Sequence, residues 1–328
     1  MEKMLYLSKS QIERLITFSE TIQICEKAFR GFEEGTSLQD VNIMYFRPGH
    51  NPKKDPLTDC LLSQPCYSKR LKVAGIKMAN YFLGNYEKGI DILQILVCMC
   101  DPDTGVPLAI MPGNVITQLR TSGNSTIAAK YLAKKDSSSI AIIGCGSQGR
   151  GHLMLMRELF DIRDVRIYDV RKEAMEKYRD EMGEKLKIDI RTFDSVKDAI
   201  KGADILCMVT TAAKPVVFEE WIEPGSFVSA VHAFSDLDIK FTKKADKFVI
   251  GERRSDVNYL SSRFEEFSEG DIDGTIGEII LGKKLGRIAD DERTLFAHPG
   301  IVSLPDMMIA STAYHMAIKK GVGRELKL

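Results

Sequence analysis

Apolar positions follow two different patterns along this chain, and the change falls near residue 115. In the first part, Ile12, Leu15, Ile16, Ile22, Ile24, Ala28 and Phe29 recur at near-helical spacing. They predict one helix over 9–35, capped by Ser8 or Ser10 and closed by Gly31, Gly35 and Ser37. Strands are predicted at 41–46, 60–66, 72–78 and 91–100. Between the first two, residues 48–56 hold three prolines in nine positions, which excludes regular structure. Asp101-Pro102-Asp103-Thr104-Gly105 is a turn joining two strands. This stretch reads as a helix with a mostly antiparallel sheet.

Beyond residue 115 the periods alternate. Helices are predicted at 126–134, 148–160, 171–184 and 195–201. Short apolar strands fall between and after them, at 139–143, 165–169, 189–193, 205–210, 227–231 and 247–250. Repeated strand–helix alternation predicts a parallel sheet with helices on both faces. A last segment, 294–320, carries a strand and a helix from Asp306. The fold class is therefore α/β: a doubly wound parallel sheet of Rossmann type, with a smaller α+β domain. The expected boundaries are 1–118 for the first part of the smaller domain, 119–295 for the Rossmann-type domain, and 296–328 for a return to the smaller one.

Composition narrows the function. The chain has 328 residues, 44% of them hydrophobic, with 46 Lys+Arg against 46 Asp+Glu. Zero net charge argues against a nucleic-acid or membrane-surface partner, both of which favour a basic excess. No signal peptide or membrane span is expected, since no long apolar run occurs. The seven cysteines are odd in number and lack zinc-ligand spacing. Reduced thiols fit a cytoplasmic protein, and no metal is expected.

Gly144-Cys145-Gly146-Ser147-Gln148-Gly149 follows a buried strand and opens a helix. Asp169 ends the next strand, twenty residues after Gly149. Strand, glycine loop, helix and distal acid together make a dinucleotide site. Gly144 permits the tight turn, Gly146 lets the backbone approach the pyrophosphate, and Gly149 lets helix and strand pack. The Asp169 carboxylate suits the adenosine ribose hydroxyls and repels a 2′-phosphate, so NAD(H) is favoured over NADP(H). Arg171 is the residue that would favour the phosphate instead. Thr210, Thr211 and His232 are expected along the carboxyl edge where the cofactor lies.

Several segments carry a wider likeness: Gly75-Ile76-Lys77-Met78, the run from Asp101 to Ala109, Leu119-Arg120-Thr121, Ala128 to Ala133, the glycine loop, Gly277 to Lys283, and Gly300-Ile301 with Asp306. On these the chain resembles the ornithine cyclodeaminase/mu-crystallin family over nearly its whole length. The resemblance implies a homodimer, a Rossmann domain inserted into a substrate domain, and NAD(P)(H) chemistry at the α-carbon of amino or imino acids. It places Lys77, Arg120 and an upstream arginine, here Arg47, in the substrate pocket, and Thr121 beside the cofactor. One departure concerns the loop after 227–231. The acid that cyclodeaminases carry there falls on Phe234, with Asp236 or Asp238 as the substitute; Asp238 better matches a structural acid that follows, so Asp236 joins Lys77 and Arg120 as a catalytic candidate. Arg120-Thr121-Ser122-Gly123 departs from the usual Arg-Thr-Ala-Ala.

The residue chemistry agrees with that implication. An arginine fork pins a carboxylate bidentately. Lys77 lies in an otherwise apolar strand, where burial lowers its pKa and fits it to carry a proton. An amino-acid dehydrogenase, imine reductase or opine-type enzyme is expected. The alternatives are a redox-neutral ornithine cyclodeaminase and a non-catalytic ligand-binding protein.

Overall fold

The computed structural model describes residues 3–46, 51, 58–231, 235–298 and 302–327. It forms two compact units, residues 1–120 with 301–328, and residues 121–300.

The chain opens with strand β1 (Lys3–Tyr6), then helices α1 (Lys9–Leu15) and α2 (Phe18–Glu33). The single helix expected over 9–35 is thus two. Thr17 interrupts it with extended backbone, and its hydroxyl accepts the Glu20 N–H in a reciprocal capping box. Strands β2 (Leu38–Gln39), β3 (Asn42–Tyr45), β4 (Cys60–Ser68), β5 (Val73–Tyr81), β6 (Leu93–Cys100) and β7 (Pro107–Pro112) follow. Helix α3 (Asn114–Leu132) starts twelve residues before its expected position at 126. Its early turns bury Thr117, Arg120, Thr121, Ser122, Asn124 and Ser125. A helix buried through polar residues shows no apolar stripe, which is why the periodicity missed it.

The second unit alternates: β8 (Ser139–Ile143), α4 (Ser147–Met156), β9 (Asp164–Tyr168), α5 (Lys172–Leu186), β10 (Ile190–Thr192), α6 (Val196–Ile200), β11 (Ile205–Met208), β12 (Phe227–Val231), β13 (Lys247–Ile250), α7 (Arg253–Arg263), β14 (Gly274–Thr275), α8 (Ile276–Ile280) and β15 (Thr294–His298). Among the described residues its sheet has eight strands in the order β10-β9-β8-β11-β12-β15-β13-β14. Every pairing is parallel. β8, β11 and β12 are buried along their whole length, as a sheet covered on both faces requires. The boundary expected at 295/296 cuts β15. That strand pairs with β12 through His298 and with β13 through Ala297, so the second unit keeps it.

The chain then returns to the first unit as α9 (Leu304–Lys320) and β16 (Arg324–Lys327). The first unit's sheet has the order β16-β1-β7-β6-β5-β4-β2, with β3 also on β4. It is mixed, because β1 runs parallel to β7 while the other pairs are antiparallel. Helix α9 packs on β5 and β6, and α1 and α2 pack on α9. Gly75 makes the close approach possible. A Cβ there would lie 2.6 Å from Met307 Cε and 2.3 Å from the Cys98 carbonyl oxygen.

Candidate functional site

Two of the expected catalytic residues meet in the first unit, and their meeting point is a third that the sequence reading gave no role. Lys77 points from β5 toward α9, on the face shared with Gln64, Val97 and Met111. Its Nζ lies 2.9 Å from Asp306 Oδ2. Arg120, on α3, brings its Nε to 3.1 Å from the same oxygen. Thr117, one turn earlier, donates its hydroxyl to Asp306 Oδ1 at 2.8 Å. Lys77, Asp306 and Arg120 are 1%, 0% and 3% exposed. Asp306 reaches this position because Ser303 and Pro305 start α9 there and because Gly75 admits Met307 beside it.

The electrostatics follow from burial. Removal from water, reinforced by the Arg120 charge and opposed by Asp306, brings the Lys77 ammonium down to about 8. Two cations share one carboxylate, so the charged cluster carries a net positive charge and suits an anionic ligand. Cys66 lies in the field of Lys77 and Asp306, but burial pushes its thiol up to about 12. It is a packing residue rather than a nucleophile.

The second unit carries the glycine loop. Gly144 adopts φ +111°, and a Cβ on it would meet the Val209 carbonyl oxygen at 2.7 Å. A Cβ on Gly149 would strike the Gly144 carbonyl oxygen at 2.4 Å, so only glycine lets α4 start this close to β8. Gly146 faces open space, which leaves its backbone approachable. It is also the N-cap of α4 and brings no side-chain acceptor to the first turn. An uncapped turn with exposed Ser147 and half-buried Gln148 suits a pyrophosphate.

The Asp169 carboxylate accepts the Cys145 N–H at 2.9 Å and the Arg171 N–H at 3.0 Å. Arg171 Nε lies 3.5 Å from it. These contacts hold the acid beside the loop, as a ribose-binding carboxylate must be. The residues present therefore fit a dinucleotide.

Thr210 and exposed Thr211 follow β11. Thr210 donates its hydroxyl to Asp236 Oδ2 at 2.8 Å and accepts the Ala212 N–H at 3.1 Å. The Asp236 carbonyl accepts from the Val216 and Val217 N–H groups, which ties this segment to the loop after β12. Asp236 is 2% exposed, and burial raises its carboxyl to about 6. Thr121 is buried in α3. Arg47 and His232 lie outside the described residues.

Asp306 is named in the sequence reading among the segments of the family likeness, but no role is given to it there. Its only local signal is an acid inside the buried run Ser303-Leu304-Pro305-Asp306-Met307. A lysine in an apolar strand also demands a counter-ion, but nothing in the spacing says which.

Known proteins are similar to this chain over nearly its whole length. Alanine dehydrogenase of Archaeoglobus fulgidus is 33% identical over 98% of both chains. The structure of Thermococcus litoralis Δ1-pyrroline-2-carboxylate reductase, in complex with NADH and L-proline, is similar with a TM-score of 0.88. It is 32% identical and covers 98% of this chain and 99% of that one. An archaeal alanine dehydrogenase dimer with bound NAD gives a TM-score of 0.87 at 32% identity, over 100% of both chains. The model of the ornithine cyclodeaminase/mu-crystallin family matches residues 1–321. The chain, with its buried Lys77–Asp306–Arg120 cluster and its uncapped glycine loop, belongs to the ornithine cyclodeaminase/mu-crystallin family.

Proposed function

We propose that this protein is an NAD(H)-dependent oxidoreductase that acts at the α-carbon of a small amino or imino acid. The observation that carries the reading is the buried cluster of Lys77, Arg120 and Asp306 in a chain that also holds a complete dinucleotide loop. Relatives named alanine dehydrogenase and Δ1-pyrroline-2-carboxylate reductase, both about a third identical, support the substrate class.

A bound nicotinamide supplies or accepts the hydride. The chain's residues do the rest. Arg120 pins the substrate carboxylate, with Arg47 as the second arginine in this reading, and the α-carbon is thereby oriented. The incoming carboxylate adds the negative charge that the cluster lacks. Lys77 exchanges a proton with the substrate nitrogen: its ammonium donates during imine reduction, and its amine accepts during amine oxidation. Asp306 holds Lys77 in place and limits its loss of charge. With the lysine brought down to about 8, reduction slows and oxidation quickens as pH rises through that value. The test is absorbance at 340 nm with NADH and a panel of small imino acids, or of keto acids with ammonia. A lasting fall is expected. Ammonia released from a diamino acid without a lasting change would instead indicate redox-neutral cyclodeamination. Neither signal would leave a ligand-binding protein.

Asp169 sets the cofactor. NADH binds at least about ten-fold more tightly than NADPH in this reading, a difference of ~1.4 kcal/mol that one charge repulsion readily supplies. Titration of both by fluorescence measures it. Equal affinities would mean that Arg171 governs the ribose end.

A homodimer in the cytoplasm completes the proposal. The sheet of the first unit has a second face, opposite the one that carries Lys77. Met44, Leu61, Ile76, Met78, Cys98 and Ile110 lie on it in register. Met44 is 55% and Met78 37% exposed. An apolar sheet face of this kind needs cover, and a second copy supplies it. Sedimentation at micromolar protein should give about 74 kDa, twice 36.8 kDa. A stable species of 36.8 kDa would count against it.

A further inference from the structure

We propose that His152 is a positioning residue for the dinucleotide loop, held in one tautomer by a buried serine–histidine network that no part of the proposed chemistry uses. This rests on the reading that the glycine loop holds NADH. His152 is one turn along α4 from Gln148 and is 0% exposed. Its Nδ1 lies 2.8 Å from the Gln148 carbonyl oxygen. Two lone pairs would repel at that distance, so Nδ1 carries the proton and donates it to the loop residue. Burial lowers the imidazolium to about 4, so the ring is neutral and Nε2 is bare.

The proton count then runs outward. Ser125 Oγ, on α3, lies 2.8 Å from His152 Nε2 and has one proton to give. The bare nitrogen takes it, in preference to the Thr121 carbonyl at 3.3 Å. The Ser125 oxygen must therefore accept from everything else around it. Ser229 of β12 donates to it at 2.8 Å. His298 of β15 lies 3.0 Å away through Nε2, which must then be an N–H. The Ser122 hydroxyl, 3.3 Å from His152 Nδ1, is then a second and longer acceptor of that nitrogen's proton. The result is a directed chain, His298 to Ser125 to His152 to Gln148, that ties the first turn of α4 to α3 and to two central strands. The turn that offers its N–H groups to the pyrophosphate is thereby fixed before the ligand arrives.

The test uses the full protein labelled with 15N in its histidine side chains, five in all. In the wild type, His152 should appear as the neutral Nδ1–H tautomer, and His298 with its proton on Nε2. Ser125→Ala removes the hydroxyl that bridges the two rings. It should shift the His152 Nε2 resonance and raise the NADH dissociation constant about ten-fold, the loss of roughly one well-formed hydrogen bond. An Nε2–H tautomer at wild-type His152 would overturn the proposal without any variant. So would a Ser125→Ala protein whose His152 signal moves while its NADH affinity stays within two-fold. If the wild type itself binds no NADH, the cofactor reading fails, and the tautomer measurement still stands.

Discussion

Lys77→Ala is expected to lower turnover by ~10²–10⁴-fold, the range for a positioned acid–base group. The dissociation constant for NADH should stay within about two-fold, because the glycine loop belongs to residues 121–300 and Lys77 to the other unit. Folding should survive. Removing the lysine leaves Arg120 and Asp306 as a balanced pair 3.1 Å apart, and it takes away a charge that burial disfavours. The effect therefore separates chemistry from stability, which a core lysine of purely structural value would not do. Steady-state rates on the true substrate, with a thermal unfolding curve, measure both. Wild-type turnover in a folded variant would end the claim that Lys77 moves the proton.

Asp306→Ala has the opposite signature. It leaves two buried cations, Lys77 and Arg120, without their shared carboxylate, and it strips Thr117 of its acceptor. Breaking a buried ion cluster by removing one partner costs about 3–5 kcal/mol. The loss should depend on pH. Without Asp306, the lysine pKa falls below its present value near 8, while in the unfolded chain it returns to the ordinary lysine value of 10.5. Between those limits the unfolded state binds more protons, so the variant gains stability as pH rises. Urea unfolding at about pH 7 and about pH 9 shows the difference. A variant with the wild-type midpoint at both values would mean that Asp306 does not hold the cluster.

The second unit was legible because its signals are local. β8 reads as an apolar run because both faces of the sheet are covered, and the glycines follow at once because α4 must start against it. Asp169 is found by counting from Gly149. The first unit yielded its lysine as a charge in an apolar strand, strengthened by the family resemblance, and its arginine through that resemblance. Their partner lies 229 residues from Lys77, a distance at which no periodicity speaks. Helix α3 stayed half hidden for a related reason. Its first turns bury polar residues, among them Thr117 and Arg120 whose partner Asp306 lies far along the chain, so the stripe that betrays an ordinary helix is missing. The break at Thr17 was within reach. The spacing Thr17 to Glu20 is a capping box, and the apolar stripe on both sides masked it.

The central claim is that hydride passes between NADH and a substrate α-carbon while this chain supplies the proton. The most direct measurement uses NADH deuterated at the transferring position of C4, an imino-acid substrate that the 340 nm panel identifies, and mass spectrometry of the amino-acid product. The account predicts one deuterium at the α-carbon of each product molecule, with one NADH consumed. A product without deuterium, or turnover with no net consumption of NADH, would contradict it.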